Sequence, residues 1–243
     1  MTEKVYLKDS YAKELRATVT AANGAELEFD RTIFYPTGGG QPCDLGKILI
    51  NGKEHGVVDV KKSGDNVIHV LEAPAEAKAG DGALLKIDWD RRYGHMRHHT
   101  ALHILDGILE TGRAFDNSAG GSITGGQIYH DRARIDLEIA NCTKELVQLL
   151  IDTSQRYIDE GHAVTAKMLT KDQALAVPNL ARTAPGRELL NKLTEVRVIE
   201  LEGLDFQLDG GTHVANTREI GRITLKNYEN KGSKRKRIEI SVG

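Results

Sequence analysis

Cysteine is nearly absent from this chain: Cys43 and Cys142 are the only two among 243 residues, far apart and outside any short pairing motif. A disulfide framework is thereby excluded, and the cytoplasm is the expected compartment. Long apolar runs are absent as well. None approaches the roughly 20 residues that span a bilayer, and the opening Met-Thr-Glu-Lys-Val-Tyr lacks the basic-then-apolar layout of a secretory signal, so no membrane association is expected. Charge of one sign does not dominate either. With 33 Lys+Arg against 35 Asp+Glu, the net charge of −2 excludes a protein that is basic all over. No repeat or low-complexity tract is visible. The remaining composition, 40% hydrophobic and 28% charged, is that of a globular protein long enough for one large domain or two modest ones.

The chain changes period near Trp89. Before it, short strands are predicted over 15–21 and 25–29 around Asn23-Gly24, and over 47–50 and 56–60 around Asn51-Gly52. Asn-Gly suits turns that need positive φ at both central residues. Further strands over 67–71 and 84–87, the second after a joint at 73–82, complete the pattern of a small barrel. Beyond Trp89, a helix over 91–110 is expected to end near Gly112. Strands follow over 122–123 and 133–139, then a helix over 144–160 with Thr143 as N-cap and Gly161 after its end. Leu146, Leu149, Leu150, Thr153 and Tyr157 form its 3.6-period face. Thr170-Lys-Asp-Gln173 is a capping box opening a third helix, and strands are predicted over 196–201, 222–225 and 237–241. This order gives an α+β fold: a glycine-rich β-barrel over 1–88 and an α+β domain with antiparallel sheet over 89–243.

Two distant stretches carry chemistry. In Arg97-His98-His99-Thr100-Ala101-Leu102-His103 the second and third histidines are four apart, so on a helix they share one face. His98, about 100° around, points away from that face. Asp209-Gly210-Gly211-Thr212-His213 supplies another imidazole and a carboxylate. His99, His103 and His213 therefore read as zinc ligands, against the plainer reading of partly buried core histidines. A zinc-protease helix needs a glutamate directly after its first histidine, and Thr100 stands there. A structural zinc would more often enlist thiolates. A histidine-rich set favours a centre that keeps one coordination position open.

Thr32-Ile-Phe-Tyr-Pro-Thr37-Gly38-Gly39-Gly40-Gln41 supplies a glycine loop whose backbone N–H groups could approach a polar ligand closely, or which is simply a turn between strands. No Gly-Lys-Ser/Thr follows, so it is not a P-loop. Thr32 and Gln41 suit the orientation of a small polar substrate. Basic residues cluster at Lys231, Lys234, Arg235, Lys236 and Arg237, while Arg91, Arg92 and Arg97 flank the histidines. They read either as a solvated charge run or as contacts to nucleic-acid phosphates.

Together, these ordered motifs resemble the editing module of alanyl-tRNA synthetase and its free-standing relatives, the alanyl-tRNA editing (AlaX) proteins, over nearly the whole chain. Gly120-Gly121-Ser122-Ile123 with Arg134-Ile135-Asp136, Asn216-Thr217-Arg218-Glu219-Ile220-Gly221 and Arg237-Ile238-Glu239 look like its intervening elements. A barrel plus a zinc domain, without aminoacylation or oligomerisation modules, is similar to the medium-sized class. The resemblance implies a zinc-dependent hydrolase that deacylates, in trans, tRNA(Ala) carrying chiefly serine, with glycine as a further candidate, while sparing alanine. It implies one zinc ion on His99, His103 and His213. His99, His103, His213 and Gln41 would be the catalytic set, with Thr32, Thr37, Gly38, Gly39, Gly40 and Gln41 around the substrate. The zinc would polarise the carbonyl, activate a water or anchor the substrate, and a site that hydrogen-bonds the serine hydroxyl can discriminate by about 10⁴. Thr32, then Thr37, is the expected reader of that hydroxyl.

Asp209 stands where the family usually has a zinc-binding cysteine. The fourth ligand is left among Asp209, Cys43 and water. The tRNA acceptor end is the expected partner, gripped by Arg91, Arg92, Arg97, Lys231, Lys234, Arg235 and Lys236, and no obligate protein partner is evident. The resemblance to a synthetase module also brings nucleotide binding, ATP included, into the expectation. Threonyl-tRNA editing domains resemble the zinc half but lack the glycine-rich barrel. A protein that binds charged tRNA without hydrolysing it is the alternative from another class.

Overall fold

A computed structural model describes residues 1–114, 121–139, 142–182, 184–232 and 234–243. Two compact units divide the chain, Met1–His95 and Met96–Gly243. The first is built on a closed barrel of six antiparallel strands in the order β2-β3-β7-β6-β5-β8. They are β2 (Glu14–Asn23), β3 (Glu26–Phe29), β5 (Gly46–Ile50), β6 (Lys53–Ser63), β7 (Asn66–Leu71) and β8 (Gly82–Ile87), with a short parallel pair, β1 (Glu3–Lys4) and β4 (Arg31–Thr32), beside them. Alternation explains the barrel: β7 reads intermediate-buried from Asn66 to Leu71, sending Val67, His69 and Leu71 inward. Leu27, Phe29, Ile33, Phe34, Ile48, Val60, Val67 and Leu85 fill the interior and are all fully buried.

Helix α1 (Trp89–Glu110) begins in the first unit and continues in the second. It starts two residues earlier than expected, because the Asp88 carboxylate accepts from Arg91 N at 3.1 Å and caps the first turn. Its end is where the glycine signal put it. Gly112 adopts φ 66°, and Gly112 N and Arg113 N donate to the carbonyls of Leu109 and Ile108, a Schellman close.

In the second unit, strands β9 (Gly121–Ile128), β10 (Ala133–Ile139), β14 (Ile223–Asn230) and β15 (Arg235–Val242) form an antiparallel sheet in the order β14-β15-β10-β9. A second antiparallel sheet, β11-β12-β13, comprises β11 (Val164–Thr170), β12 (Glu195–Leu201) and β13 (Asp205–Leu208). Helices α2 (Lys144–Glu160), α3 (Lys171–Leu175) and α4 (Ala184–Lys192) complete it. Thr143 caps α2 and the Thr170/Gln173 box caps α3, as their sequences imply. The face of α2 departs from expectation. Leu150, Thr153 and Tyr157 are buried as expected, but Leu149 is exposed and Leu146 half-buried, and Val147, Ile151, Ser154 and Ile158 join the buried face, a rotation of part of a turn.

Besides the two-residue strands β1 and β4, three elements escaped the sequence reading: β11, β13 and α4. β11 is an edge strand whose residues are nearly all exposed or half-buried, so no period of two marks it. β13 is four residues long, and α4 carries Pro185 in its first turn. The Arg134-Ile135-Asp136 and Arg237-Ile238-Glu239 motifs pair across β10 and β15, where the Arg237 guanidinium holds the Asp136 carboxylate at 2.6 and 3.0 Å. Asn216 and Glu219 form a capping box on a 3₁₀ turn over Thr217–Ile220. Gly120 lies outside the described residues.

Candidate metal centre

Helical spacing brings His99 and His103 onto one face of α1, and the segment after β13 brings Asp209 and His213 against them. Each imidazole turns its Nε2 toward the Asp209 carboxylate: His213 at 3.1 Å from Oδ1, His99 at 3.4 Å and His103 at 3.8 Å from Oδ2. The four candidate ligand atoms all lie within 4.8 Å of one another. A tetrahedron with metal–ligand bonds of about 2.0–2.1 Å has edges of roughly 3.3 Å, so the four donors are close enough to converge on one metal ion with small side-chain shifts. All three rings are nearly buried, at 5–7% exposure, which leaves little water to stabilise separate charges.

The Nδ1 atoms of His213 and His103 are fixed by surrounding hydrogen bonds. Thr100 Oγ1 donates to the Met96 carbonyl and accepts from Val214 N, and lies 3.1 Å from His213 Nδ1. Its hydrogen is thus engaged, and it receives the His213 Nδ1–H, leaving the Nε2 lone pair facing inward. His103 Nδ1 lies 3.0 Å from Asp205 Oδ2. Arg197, 7% exposed, donates from Nη1 to the carbonyls of Asp209 and Gly211, and Gly211 N donates to Asp209 Oδ1. These bonds fix the loop that carries both later ligands.

Titration in the cluster reflects its shared charge. Burial works to lower the His103 pKa, but the carboxylates of Asp205 and Asp209 outweigh it and raise the value to about 10. Burial would raise the Asp209 carboxyl, yet the neighbouring imidazoles hold it well below the ordinary range. His213 is lowered well below an ordinary histidine by burial and by the charge of His99. Three imidazoles and a carboxylate arranged in this way favour one cation at their centre, whether a proton or a metal ion. His98 is buried and lies outside the four-residue cluster.

The glycine loop is a tight turn. Gly38 and Gln41 exchange backbone hydrogen bonds at 3.1 and 3.0 Å, and Gly39 and Gly40 between them adopt φ of 59° and 81°. That left-handed pair is the reason two glycines occupy these positions. Thr37 is exposed and its hydroxyl accepts from Cys43 N at 3.1 Å, whereas Gln41 is buried.

Thr32 is fully enclosed. Its Oγ1 accepts from Phe34 N at 3.0 Å and lies 2.8 Å from His69 Nε2. Burial lowers the His69 pKa to about 4, so the ring is neutral near pH 7. His69 Nδ1 faces the Leu27 carbonyl at 3.3 Å and must donate to it. Nε2 therefore accepts the Thr32 hydroxyl hydrogen, and one Thr32 lone pair remains.

The expected basic grip is smaller than the sequence implied. Arg92 is fully buried, pairs with the equally buried Asp44, and donates to the carbonyls of Ser10 and Ile33 at 2.9 and 2.5 Å. It cannot reach a phosphate. Lys236, 4% exposed, donates to the Gly232 carbonyl and is likewise excluded. Both corrections have one cause: a cluster of charges in sequence does not reveal which face of a strand or helix each residue occupies. Arg91 and Arg97 are half-buried and donate to the carbonyls of Cys43 and Ile220. Lys231, Lys234 and Arg235 are exposed, with Lys231 paired to Glu229 at 2.6 Å.

Comparison with known proteins identifies the family. An alanyl-tRNA editing protein AlaX-M of Saccharolobus solfataricus is 38% identical over 246 residues, covering 100% of this chain and 99% of its own. That of Methanosarcina mazei is 35% identical over 251 residues, covering 100% and 97%. The chain belongs to the AlaX-M family. An alanine–tRNA ligase of Metallosphaera sedula aligns with 94% of the chain at 36% identity, but only over 25% of the ligase. Within this chain, residues 2–91 match the family described as tRNA synthetases class II (A). Residues 196–239 match the threonyl and alanyl tRNA synthetase second additional domain, and include Asp209 and His213.

Proposed function

We propose that this protein hydrolyses the ester bond of mischarged tRNA(Ala) in trans, removing serine, and glycine as a second substrate, while sparing alanine. The observation that carries the reading is the convergence of His99, His103, His213 and Asp209 in a chain aligned end to end with alanyl-tRNA editing proteins. The donor set of three nitrogens and one oxygen fits zinc, held through the three Nε2 atoms and Asp209 Oδ2. Zinc bound there supplies Lewis acidity toward an ester carbonyl or a water. Asp209, rather than Cys43 or water, is assigned as the fourth ligand, because Cys43 belongs to the barrel unit and Asp209 already faces all three rings.

The protein's own residues prepare this site in three ways. Thr100 keeps the His213 lone pair directed inward, Arg197 fixes the Asp209–His213 loop, and near-complete burial of the rings limits competing water. Substrate choice is assigned to the barrel unit, where the enclosed Thr32 keeps one lone pair that a serine hydroxyl would reach once the residues covering it part, and the exposed Thr37 is the second candidate. Alanine has no hydroxyl, so the acceptor would be left unsatisfied. The backbone of Gly38, Gly39 and Gly40 and the Gln41 side chain are assigned to the substrate's polar groups. Lys231, Lys234 and Arg235, with Arg91 and Arg97, are assigned to the phosphate grip. The division of labour follows the two modules expected at 1–88 and 89–243.

Among the described residues no helix is long and apolar enough to cross a membrane, and the reading places the work in the cytoplasm. Hydrolysis of an ester by water needs no nucleotide. The test compares single-turnover deacylation of seryl-, glycyl- and alanyl-tRNA(Ala). Fast release of serine with alanyl-tRNA(Ala) intact is expected; equal rates would refute selective editing, and tRNA binding without hydrolysis would favour the non-catalytic alternative.

A further inference from the structure

The geometry points to Asp205 as the positioning residue of the metal centre, acting on His103 through a polar network that the sequence motifs do not mark. This inference rests on the metal-centre reading above. Asp205 is 5% exposed and opens β13, one of the strands missed in the sequence. Its Oδ2 lies 3.0 Å from His103 Nδ1, while Nε2 of the same ring faces Asp209 at 3.8 Å. A carboxylate beside Nδ1 holds the hydrogen there and leaves the Nε2 lone pair for the ion. It also strengthens that lone pair as a donor.

Asp205 is itself held. Arg182 Nη2 donates to its Oδ1 at 2.8 Å, and Gln207 Nε2 donates to both oxygens at 3.1 and 2.9 Å. Asp106, one turn along α1 from His103, accepts from Arg182 Nη1 at 2.5 Å and from Gln207 at 2.8 Å. The two donors therefore bridge Asp205 to the helix that carries its histidine. Close approach is allowed by Gly107: a Cβ there would lie 2.8 Å from Leu204 Cγ and 3.2 Å from Asp205 Cβ. Gly107 is thus a spacer that lets β13 reach α1.

The test reads metal affinity rather than deacylation, so failure of the editing reading leaves it interpretable. Zinc affinity of wild type, Asp205→Asn and Gly107→Ala is measured by competition with a chelator, with circular dichroism verifying the fold. A loss of about 10–100-fold in Asp205→Asn is expected, as for other groups that orient a metal-bound histidine. Gly107→Ala, which removes no polar atom, should weaken zinc in the same direction. Wild-type affinity in Asp205→Asn would overturn the role. Should both variants fail to fold, the unmodified zinc-loaded protein decides by ¹⁵N NMR of its histidine rings. The hydrogen of His103 is expected on Nδ1, and finding it on Nε2 would overturn the proposal. Wild-type protein that binds no zinc would instead sink the shared premise.

Discussion

The barrel carries a buried histidine whose charge state should govern its resistance to acid. His69 is fully buried, with Phe29 and Phe34 edge-on to its ring at centroid distances of 5.0 and 5.3 Å. Burial outweighs the favourable pull of the Leu27 and Val67 carbonyls and sets its folded pKa to about 4, against 6.5 for an ordinary histidine. Because the folded value is depressed, the unfolded chain takes up the proton first as pH falls. The stability contribution is complete above about pH 6.5 and is lost progressively toward pH 4. The gap corresponds to a loss of about 3 kcal/mol between pH 7 and pH 4.

His69→Gln isolates this effect, because a glutamine carbonyl can still accept the Thr32 hydroxyl and its amide can donate to Leu27. The variant should be less stable at pH 7 by about 1–3 kcal/mol through imperfect replacement of those bonds. It should, however, lose about 3 kcal/mol less than wild type on acidification, so the two curves converge near pH 4. Urea unfolding followed by fluorescence of Trp89, the single tryptophan, reports on this unit, since its ring stacks on Tyr93 at 5.4 Å. Carboxylates titrate in both proteins and cancel in the difference. Parallel curves from pH 7 to pH 4 would refute the neutral, Nδ1-protonated assignment of His69, and with it the orientation inferred for the Thr32 hydroxyl.

Replacement of His99, His103 or His213 by alanine should abolish deacylation and reduce bound zinc, as read by elemental analysis, whereas His98→Ala should retain the metal. Asp209→Ala should weaken zinc retention and slow deacylation, while Asp209→Cys should preserve zinc and shift competition toward softer cadmium; full zinc and full activity in the alanine variant would rule the ligand out. Neutral replacements at Lys231, Lys234 and Arg235 should weaken tRNA binding equally for every aminoacyl group and flatten its salt dependence. Arg92→Gln should instead cost about 3–5 kcal/mol of stability in chemical denaturation, because it leaves Asp44 buried without its partner. Thr32→Val should narrow the ratio of seryl to alanyl deacylation at constant tRNA affinity; an unchanged ratio moves the reading to Thr37.

Local rules made much of the fold readable before any coordinates. Asn-Gly dipeptides marked hairpins of the barrel, Thr143 and the Thr170/Gln173 pair announced α2 and α3, and the i, i+4 histidines assigned their own helical face. What stayed hidden depends on tertiary context. β13 is too short for a period, yet it delivers Asp205 to His103. The sense of Arg92 could not be read from its neighbours. It lies between Arg91 and Tyr93 in sequence, and only the buried Asp44, 48 residues away, makes it an internal ion pair. Thr32 was legible as a polar residue beside a glycine turn, but its hydrogen-bond direction is set by His69 from another strand.

The cluster at His99, His103, Asp209 and His213 also has a topological meaning. Its two halves are separated by more than a hundred residues, so an ion gripping all four would knot the intervening chain into one closed loop. A covalent cross-link over a loop of this size restricts the unfolded ensemble by roughly 4–5 kcal/mol in the chain-entropy picture. A metal link acts similarly only while it is occupied, adding stability that rises with the logarithm of free ion concentration. Scarcity of the ion would then shorten the lifetime of the fold as well as empty its site, so the amount of intact protein would follow metal supply.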